Sequence, residues 1–248
     1  MMDPITLNTK RLVFSGQRDV TYGLNEAVDF EKRVIFVAVP KTGTTSIRKQ
    51  LATKGDKLIP APHLTIMQIR DALYTYLLLK NLGNNHVFPT QVDQVPSDAE
   101  IRAEAAAIYS GFFKFSSVRN PWARVVSLYS RREGVKTRKK ADFESFCESL
   151  RYASDTCSQP TRCASQHDWM TDETGNLAVD YVLKLEDLDR GLQEINDRTE
   201  GRLRLVAKHN NQNPASRSAN YRELYTPQSR NLIGDLFARD VAAFGYEF

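Results

Sequence analysis

The stretch VIFVAVPKTGTTSIRKQL, residues 34–51, constrains this chain more than any other. Val34 to Val39 are all apolar, which is how a strand covered on both faces of a parallel sheet reads. Pro40 ends the run, and a helix is expected from about Thr44. GFFKFSSVRNPWARVVSLYSRR repeats the plan, with a strand at Phe112–Val118 and then a turn and a helix. There Asn120 can cap, Pro121 suits the first helical turn, and Val125, Val126 and Leu128 carry the apolar face. LAVDYVLKLEDL holds a third strand, followed by a helix through GLQEI. Strands that alternate with helices predict an α/β fold on a mainly parallel sheet.

The remaining segments fit around this frame. TIMQIRDALYTYLLLK places Ile66, Ile69, Leu73 and Leu77 at helical spacing, with Thr65 as its cap. Residues 81–97 are rich in turn formers and read as a loop. DAEIRAEAAAIY and ADFESFCESL read as helices, RLRLVA as a short strand, and KHNNQNPASRSAN as a polar loop. TPQSRNLIGDLFARDVAAFGYEF opens on Thr-Pro and forms a last amphipathic helix. No composition shift marks a linker, so one domain is expected over residues 1–248, with 1–30 a peripheral N-terminal segment.

Hydrophobic residues make up 41% of the 248, enough for a sizeable core, and the net charge of +4 suits an anionic ligand but is too small to imply nucleic acid. No apolar run reaches the roughly 18 residues of a membrane span, and MMDPITLNTKRLVF lacks the basic start and apolar centre of a secretory signal. Cys147, Cys157 and Cys163 form no CxxC, which disfavours a zinc site. Cys157 and Cys163 are near enough in sequence for a bridge, and free thiols in a reducing compartment are the other reading.

Two loops carry the chemistry. In PKTGTTS, a strand-to-helix turn leaves unpaired backbone N–H groups at a helix start, where the dipole favours an anion. Gly43 lets the chain curl closely, Thr42, Thr44, Thr45 and Ser46 offer hydroxyls, and Lys41 adds a positive charge at the mouth. An ordinary helix cap is the plainer reading, but a cap needs only one hydroxyl. The lysine precedes the glycine, so the GxxxxGK[ST] order of a nucleoside-triphosphate loop is absent. In SSVRNPWARVVSLYS, Arg119 leaves the strand end and Ser127 lies two turns into the helix. An arginine fork beside a hydroxyl suits a phosphate monoester. Trp122 reads as core.

PKTGTTS and FKFSSVRNPWARVVSLYS together resemble the sulfotransferase superfamily. HLTIMQIRDAL (63–73), QHDWMTDETGNLAVDYVLKLEDLDRGLQEI (166–195) and YRELYTPQSRNLIGDLFARDVAAFGYEF (221–248) are similar to its carbohydrate sulfotransferase branch, the Golgi-type family and its soluble bacterial relatives. The likeness runs from about residue 30 to the end. It implies a P-loop-like three-layer α/β/α fold. It also implies that the first loop binds the 5′-phosphosulfate of 3′-phosphoadenosine-5′-phosphosulfate (PAPS), the second its 3′-phosphate, and that no metal is required. Lys41 would neutralise the departing oxygen.

Sulfuryl transfer needs a base for the acceptor hydroxyl, and histidine suits that near neutral pH. His63, His86, His167 and His209 are the candidates. His63 matches the histidine of the family's KH-x-T segment, with Pro62 where relatives carry lysine. The other three read as solvated or structural, with acceptor contact open for His167. Glu186 follows the third strand and reads as a structural hydrogen-bonding group. Arg217 lies in a loop that relatives close over the nucleotide. Ala123 stands where the family's RNPWD pattern has aspartate, which bears on pairing around Arg124. Arg131, Arg132, Lys136, Arg138, Lys139 and Lys140 form a basic run, either a solvated face or a lure for an anionic polysaccharide.

The expected activity is thus transfer from PAPS to a hydroxyl acceptor, a saccharide first and another small-molecule alcohol second. A P-loop kinase or NTPase is the competing class, since YVLKLED mimics a strand ending in metal-binding acids, and magnesium dependence separates the two. A non-catalytic nucleotide- or polyanion-binding module is the third. With no anchor seen, a soluble, cytoplasmic, bacterial enzyme is expected.

Overall fold

A computed structural model describes residues 24, 26–52, 57–59, 62–83, 96–130, 142–152, 165–207 and 220–248. β1 (Val28–Asp29), β2 (Val34–Val37), β3 (Phe113–Val118) and β4 (Tyr181–Lys184) form one sheet in that order. β2, β3 and β4 are parallel, with Phe36 opposite Phe115 and Ser117 opposite Leu183, and β1 runs antiparallel along β2. Parallel neighbours need long crossovers. α1 (Thr44–Leu51), α2 (Ile66–Gly83) and α3 (Asp98–Gly111) lie between β2 and β3, and α4 (Pro121–Tyr129) and α5 (Phe143–Ser149) between β3 and β4. α6 (Leu188–Arg198), α7 (Pro227–Leu236) and α8 (Ala238–Phe244) follow β4.

The apolar run has a direct cause. Successive side chains of a strand point to opposite faces. Ile35, Val37 and Val39 pack with Ile66 and Ile69 of α2, whereas Val34, Phe36 and Ala38 pack with Ile47 of α1 and Leu192 and Ile195 of α6. Both faces of β2 are therefore covered, and each such aliphatic side chain contributes about 1.5–3 kcal/mol. A further cluster joins Trp122 and Val125 of α4 to Phe143 and Cys147 of α5, Leu232 and Ile233 of α7, and Phe237.

Helix starts follow their caps. Thr65 and Gln68 exchange side-chain-to-backbone hydrogen bonds before α2, and Ser97 and Glu100 do the same at α3. Asn120 accepts from the Trp122 and Ala123 N–H groups at α4, and Thr226 caps α7. No helix among the described residues is long and apolar enough to cross a membrane.

Several expectations change. β2 ends at Val37, two residues early, although Ala38 and Val39 remain buried. α2 runs through Gly83, so the expected loop begins later, and residues 84–95 lie outside the described set. The edge strand β1 falls in the segment expected at the periphery, where Leu24 and Ala27 are buried. RLRLVA is no strand. Leu203 and Leu205 are buried and Arg204 and Val206 exposed, as alternation predicts. Yet the backbone of Leu205 is held by the Asn196 carboxamide and that of Val206 by Gln50. Side-chain amides replace a strand partner there. The expected last helix is two, α7 and α8, broken at Phe237, whose buried ring lies 5.7 Å from the Arg124 guanidinium.

Candidate active site

β2 and β3 are adjacent and parallel, so the loops that follow them leave the sheet at the same end. Ligands of open α/β sheets bind at that end. In the first loop, Lys41 (φ 70°) and Gly43 (φ 83°) are left-handed. Gly43 adopts this freely, while a lysine there costs roughly 1–2 kcal/mol. The glycine is also required by space, because a Cβ at Gly43 would stand 2.6 Å from Leu185 Cδ1. α1 starts with no side-chain cap and no acidic residue in its first turn, which leaves its positive end open to an anion.

Thr42 is fully buried, and its hydroxyl donates to the Val39 carbonyl at 2.9 Å. That leaves the Ser117 hydroxyl as donor in the 2.7 Å contact between the two oxygens. The pair ties the first loop to the end of β3. Arg124 on α4, also buried, adds a second tie by donating from Nε to the Pro40 carbonyl at 3.0 Å. Thr44 is buried, Thr45 exposed and Ser46 half-buried.

The second loop is pinned through its backbone. The Gln166 carboxamide accepts from the Arg119 N–H at 2.9 Å and donates to the Arg119 carbonyl at 2.8 Å. Glu186 accepts from the Asn120 N–H at 2.7 Å and from the Tyr246 hydroxyl at 3.1 Å. The Asn120 side chain donates to the Glu247 carbonyl at 2.7 Å. The Arg119 side chain is half-buried, and among the described residues its guanidinium makes no ion pair or hydrogen bond. Burial holds this guanidinium below the ordinary arginine value, with the charge of Glu186 pulling the other way. Arginine stays charged regardless. Burial first, and then the nearby Glu186 charge, push the Tyr246 phenol well up, so it remains a neutral donor. The Ser127 hydroxyl, half-buried on α4, takes no hydrogen bond among the described residues.

His63 stands against the first loop. Its Nδ1 lies 2.6 Å from the Ala38 carbonyl, and Trp169 meets its ring edge-on at 6.1 Å. A carbonyl oxygen only accepts, so Nδ1 carries a proton, and in the neutral ring the lone pair is on Nε2. His167 instead opens a short 3-10 turn, its backbone N–H donating to Asp240 at 2.9 Å, with Phe244 beside its ring. Trp122 is core, its indole N–H donating to the Arg230 carbonyl. Beside Ala123, Arg124 pairs with the loop backbone rather than an aspartate at that position. Arg217, His86, His209, Cys157, Cys163 and the basic run 131–140 lie outside the described residues.

The structure therefore gathers Lys41, Gly43, Thr44, His63 and Arg119 around the ends of two adjacent strands. Sequence reasoning missed residues that hold them, among them Gln166, Asp240, Ser117 and the bridging role of Arg124. A signal existed for one. Asp240 falls on the same helical face as Phe237, Val241 and Phe244, and a carboxylate on an apolar stripe asks for a buried partner.

The model of a sulfotransferase family matches residues 27–247. No curated protein and no solved structure matches the chain significantly. The matched span takes in both loops, His63 and the clamp on Arg119, and covers most of the sequence. The chain belongs to the sulfotransferase family.

Proposed function

We propose that this chain moves a sulfuryl group from PAPS to a hydroxyl of a saccharide, without a metal, as a single three-layer α/β/α domain. It is proposed to belong to the carbohydrate branch of the family, among its soluble, cytoplasmic bacterial members. The observation that carries the reading is the Thr42–Ser117 contact, which joins an uncapped helix start to the strand end bearing Arg119. Two separate anion sites on one ligand suit a nucleotide with a 5′ and a 3′ group.

Lys41, Gly43, Thr44, Thr45 and Ser46 would hold the 5′-phosphosulfate, with Thr42 contributing through its backbone. Arg119, Ser127 and Arg217 would hold the 3′-phosphate. The donor supplies an activated sulfuryl group whose S–O bond breaks as the acceptor oxygen bonds to sulfur, 3′-phosphoadenosine-5′-phosphate leaving. His63 takes the acceptor's proton at Nε2, while the Ala38 carbonyl keeps the ring in the tautomer that can do so. Lys41 meets the charge growing on the leaving oxygen. Against a kinase reading, Lys41 precedes Gly43 in the first loop, so the GxxxxGK[ST] order of a triphosphate loop is missing.

The test is transfer of radiolabelled sulfate from PAPS to a panel of saccharides and simple alcohols, in EDTA, by wild type and His63→Ala. Labelled saccharide from wild type, lowered about 10²–10⁴-fold in the variant, is expected. Transfer to simple alcohols alone would remove the carbohydrate assignment, and undiminished transfer by His63→Ala would remove the base.

A further inference from the structure

Arg119 is gripped by a device that the strand ladder does not explain. Gln166 is fully buried, and its carboxamide makes two hydrogen bonds to the Arg119 backbone, one residue past the end of β3. Asp240 of α8 is also fully buried. Its Oδ2 accepts from the Gln166 backbone N–H at 2.9 Å and from Gln166 Nε2 at 3.0 Å. Its Oδ1 accepts from the His167 N–H at 2.9 Å and from the Ser165 hydroxyl. A carboxylate accepts only, so it forces the amide nitrogen of Gln166 toward itself and toward the Arg119 carbonyl. The amide oxygen is then left facing the Arg119 N–H. The flip state of one side chain, and with it the exit path of the backbone at Arg119, is set by a charge 121 residues further along the chain.

A buried carboxylate is a costly way to hold a loop, and apolar packing would serve stability alone. The same carboxamide trick at Leu205 and Val206 uses no buried charge in the hydrogen bonds that hold them. What distinguishes Arg119 is the guanidinium it carries, which among the described residues makes no ion pair or hydrogen bond and feels the Glu186 carboxylate only at longer range.

We propose that Asp240 and Gln166 are positioning residues that preset Arg119 for the 3′-phosphate of the nucleotide, so that this group is bound without ordering the loop. The inference rests on the reading of Arg119 as the 3′-phosphate residue. Ordering a loop on binding subtracts from affinity, and presetting it removes that loss.

The test compares two probes by calorimetry in metal-free buffer: 3′-phosphoadenosine-5′-phosphate, and adenosine 5′-monophosphate, which lacks the 3′ group. The dissociation constant of the second probe divided by that of the first reads the 3′-phosphate preference. Gln166→Met and Asp240→Asn should each lower that ratio about tenfold by weakening the first probe alone. In an Arg119→Ala background the ratio should already have collapsed, and adding Gln166→Met should change it no further. Parallel weakening of both probes, an unchanged ratio, or losses that add to that of Arg119→Ala would overturn the proposal and leave the clamp a purely structural element. Should both clamp variants fail to fold, Ser165→Ala removes one donor to Asp240 and little volume. A two- to threefold smaller ratio is expected there, and an unchanged one overturns the proposal. Failure of the underlying reading looks different, because wild type would then show no 3′-phosphate preference, or Arg119→Ala would keep it. The clamp proposal would fall with it.

Discussion

The loop after β2 is shaped by backbone conformation, and the loop after β3 by hydrogen bonds from other parts of the chain. Lys41 and Gly43 both sit in the left-handed region, and the first helical turn behind them has no side-chain cap. Arg119 and Asn120 lie outside the left-handed region but are held by Gln166, Glu186 and Glu247. Strain stored in a loop suits a charge that must respond while a bond breaks. A preset arginine suits a group that stays bound and unchanged throughout. The first loop should therefore govern turnover, and the second affinity.

The largest expected effect tests that division directly. Lys41→Ala should lower kcat about 10²–10³-fold, the size of losing one charge-stabilising group, with nucleotide affinity changed only a few-fold. Arg119→Ala should do the reverse, weakening 3′-phosphoadenosine-5′-phosphate by about 2–3 kcal/mol, or roughly 30- to 150-fold, at nearly constant kcat under saturating donor. A swapped pattern would break the comparison. Next is Gly43→Ala, which meets both the left-handed backbone and Leu185. It should cost about 2 kcal/mol in urea unfolding, and Leu185→Ala in the same chain should recover the part due to the clash. A smaller effect isolates strain at the lysine. Lys41→Gly and Lys41→Ala lose the same charge, so the glycine variant should be more stable by about 1 kcal/mol if φ 70° is held against preference.

The smallest effect lies in the apolar cluster that packs on α4, at a residue neither anion loop contains. Burial pushes the Cys147 thiol up to about 12. The unfolded chain ionises this thiol near pH ~8.5. The native state favours the neutral thiol, so its contribution is whole below that pH and fades as pH climbs toward 12. Alkylation followed by peptide mapping should find Cys147 unmodified in the folded protein at neutral pH and modified after unfolding.

How much of this the sequence disclosed depends on range. β2 was legible because residues buried on both faces leave no polar positions, and β3, which buries Lys114, Ser116 and Ser117, because it repeats the strand-turn-helix plan of β2; α2, α4 and α7 were legible because each cap sits within three residues of what it caps. Lys41, Gly43, His63 and Arg119 were legible as residue types at strand ends. The partners that hold them were not. Gln166 meets Arg119 across 47 residues and Asp240 meets Gln166 across 74, and no local pattern encodes a pairing at that distance. RLRLVA misled for a related reason, since its alternation was real and its hydrogen-bond partners were side chains rather than a strand.

The most direct measurement is titration of 3′-phosphoadenosine-5′-phosphate into wild type and Arg119→Ala by calorimetry, in buffer stripped of magnesium. Metal-free binding by wild type that is largely lost in the variant is the predicted result. No binding by wild type, together with tight magnesium-dependent binding of ATP, would contradict the two-anion sulfotransferase site.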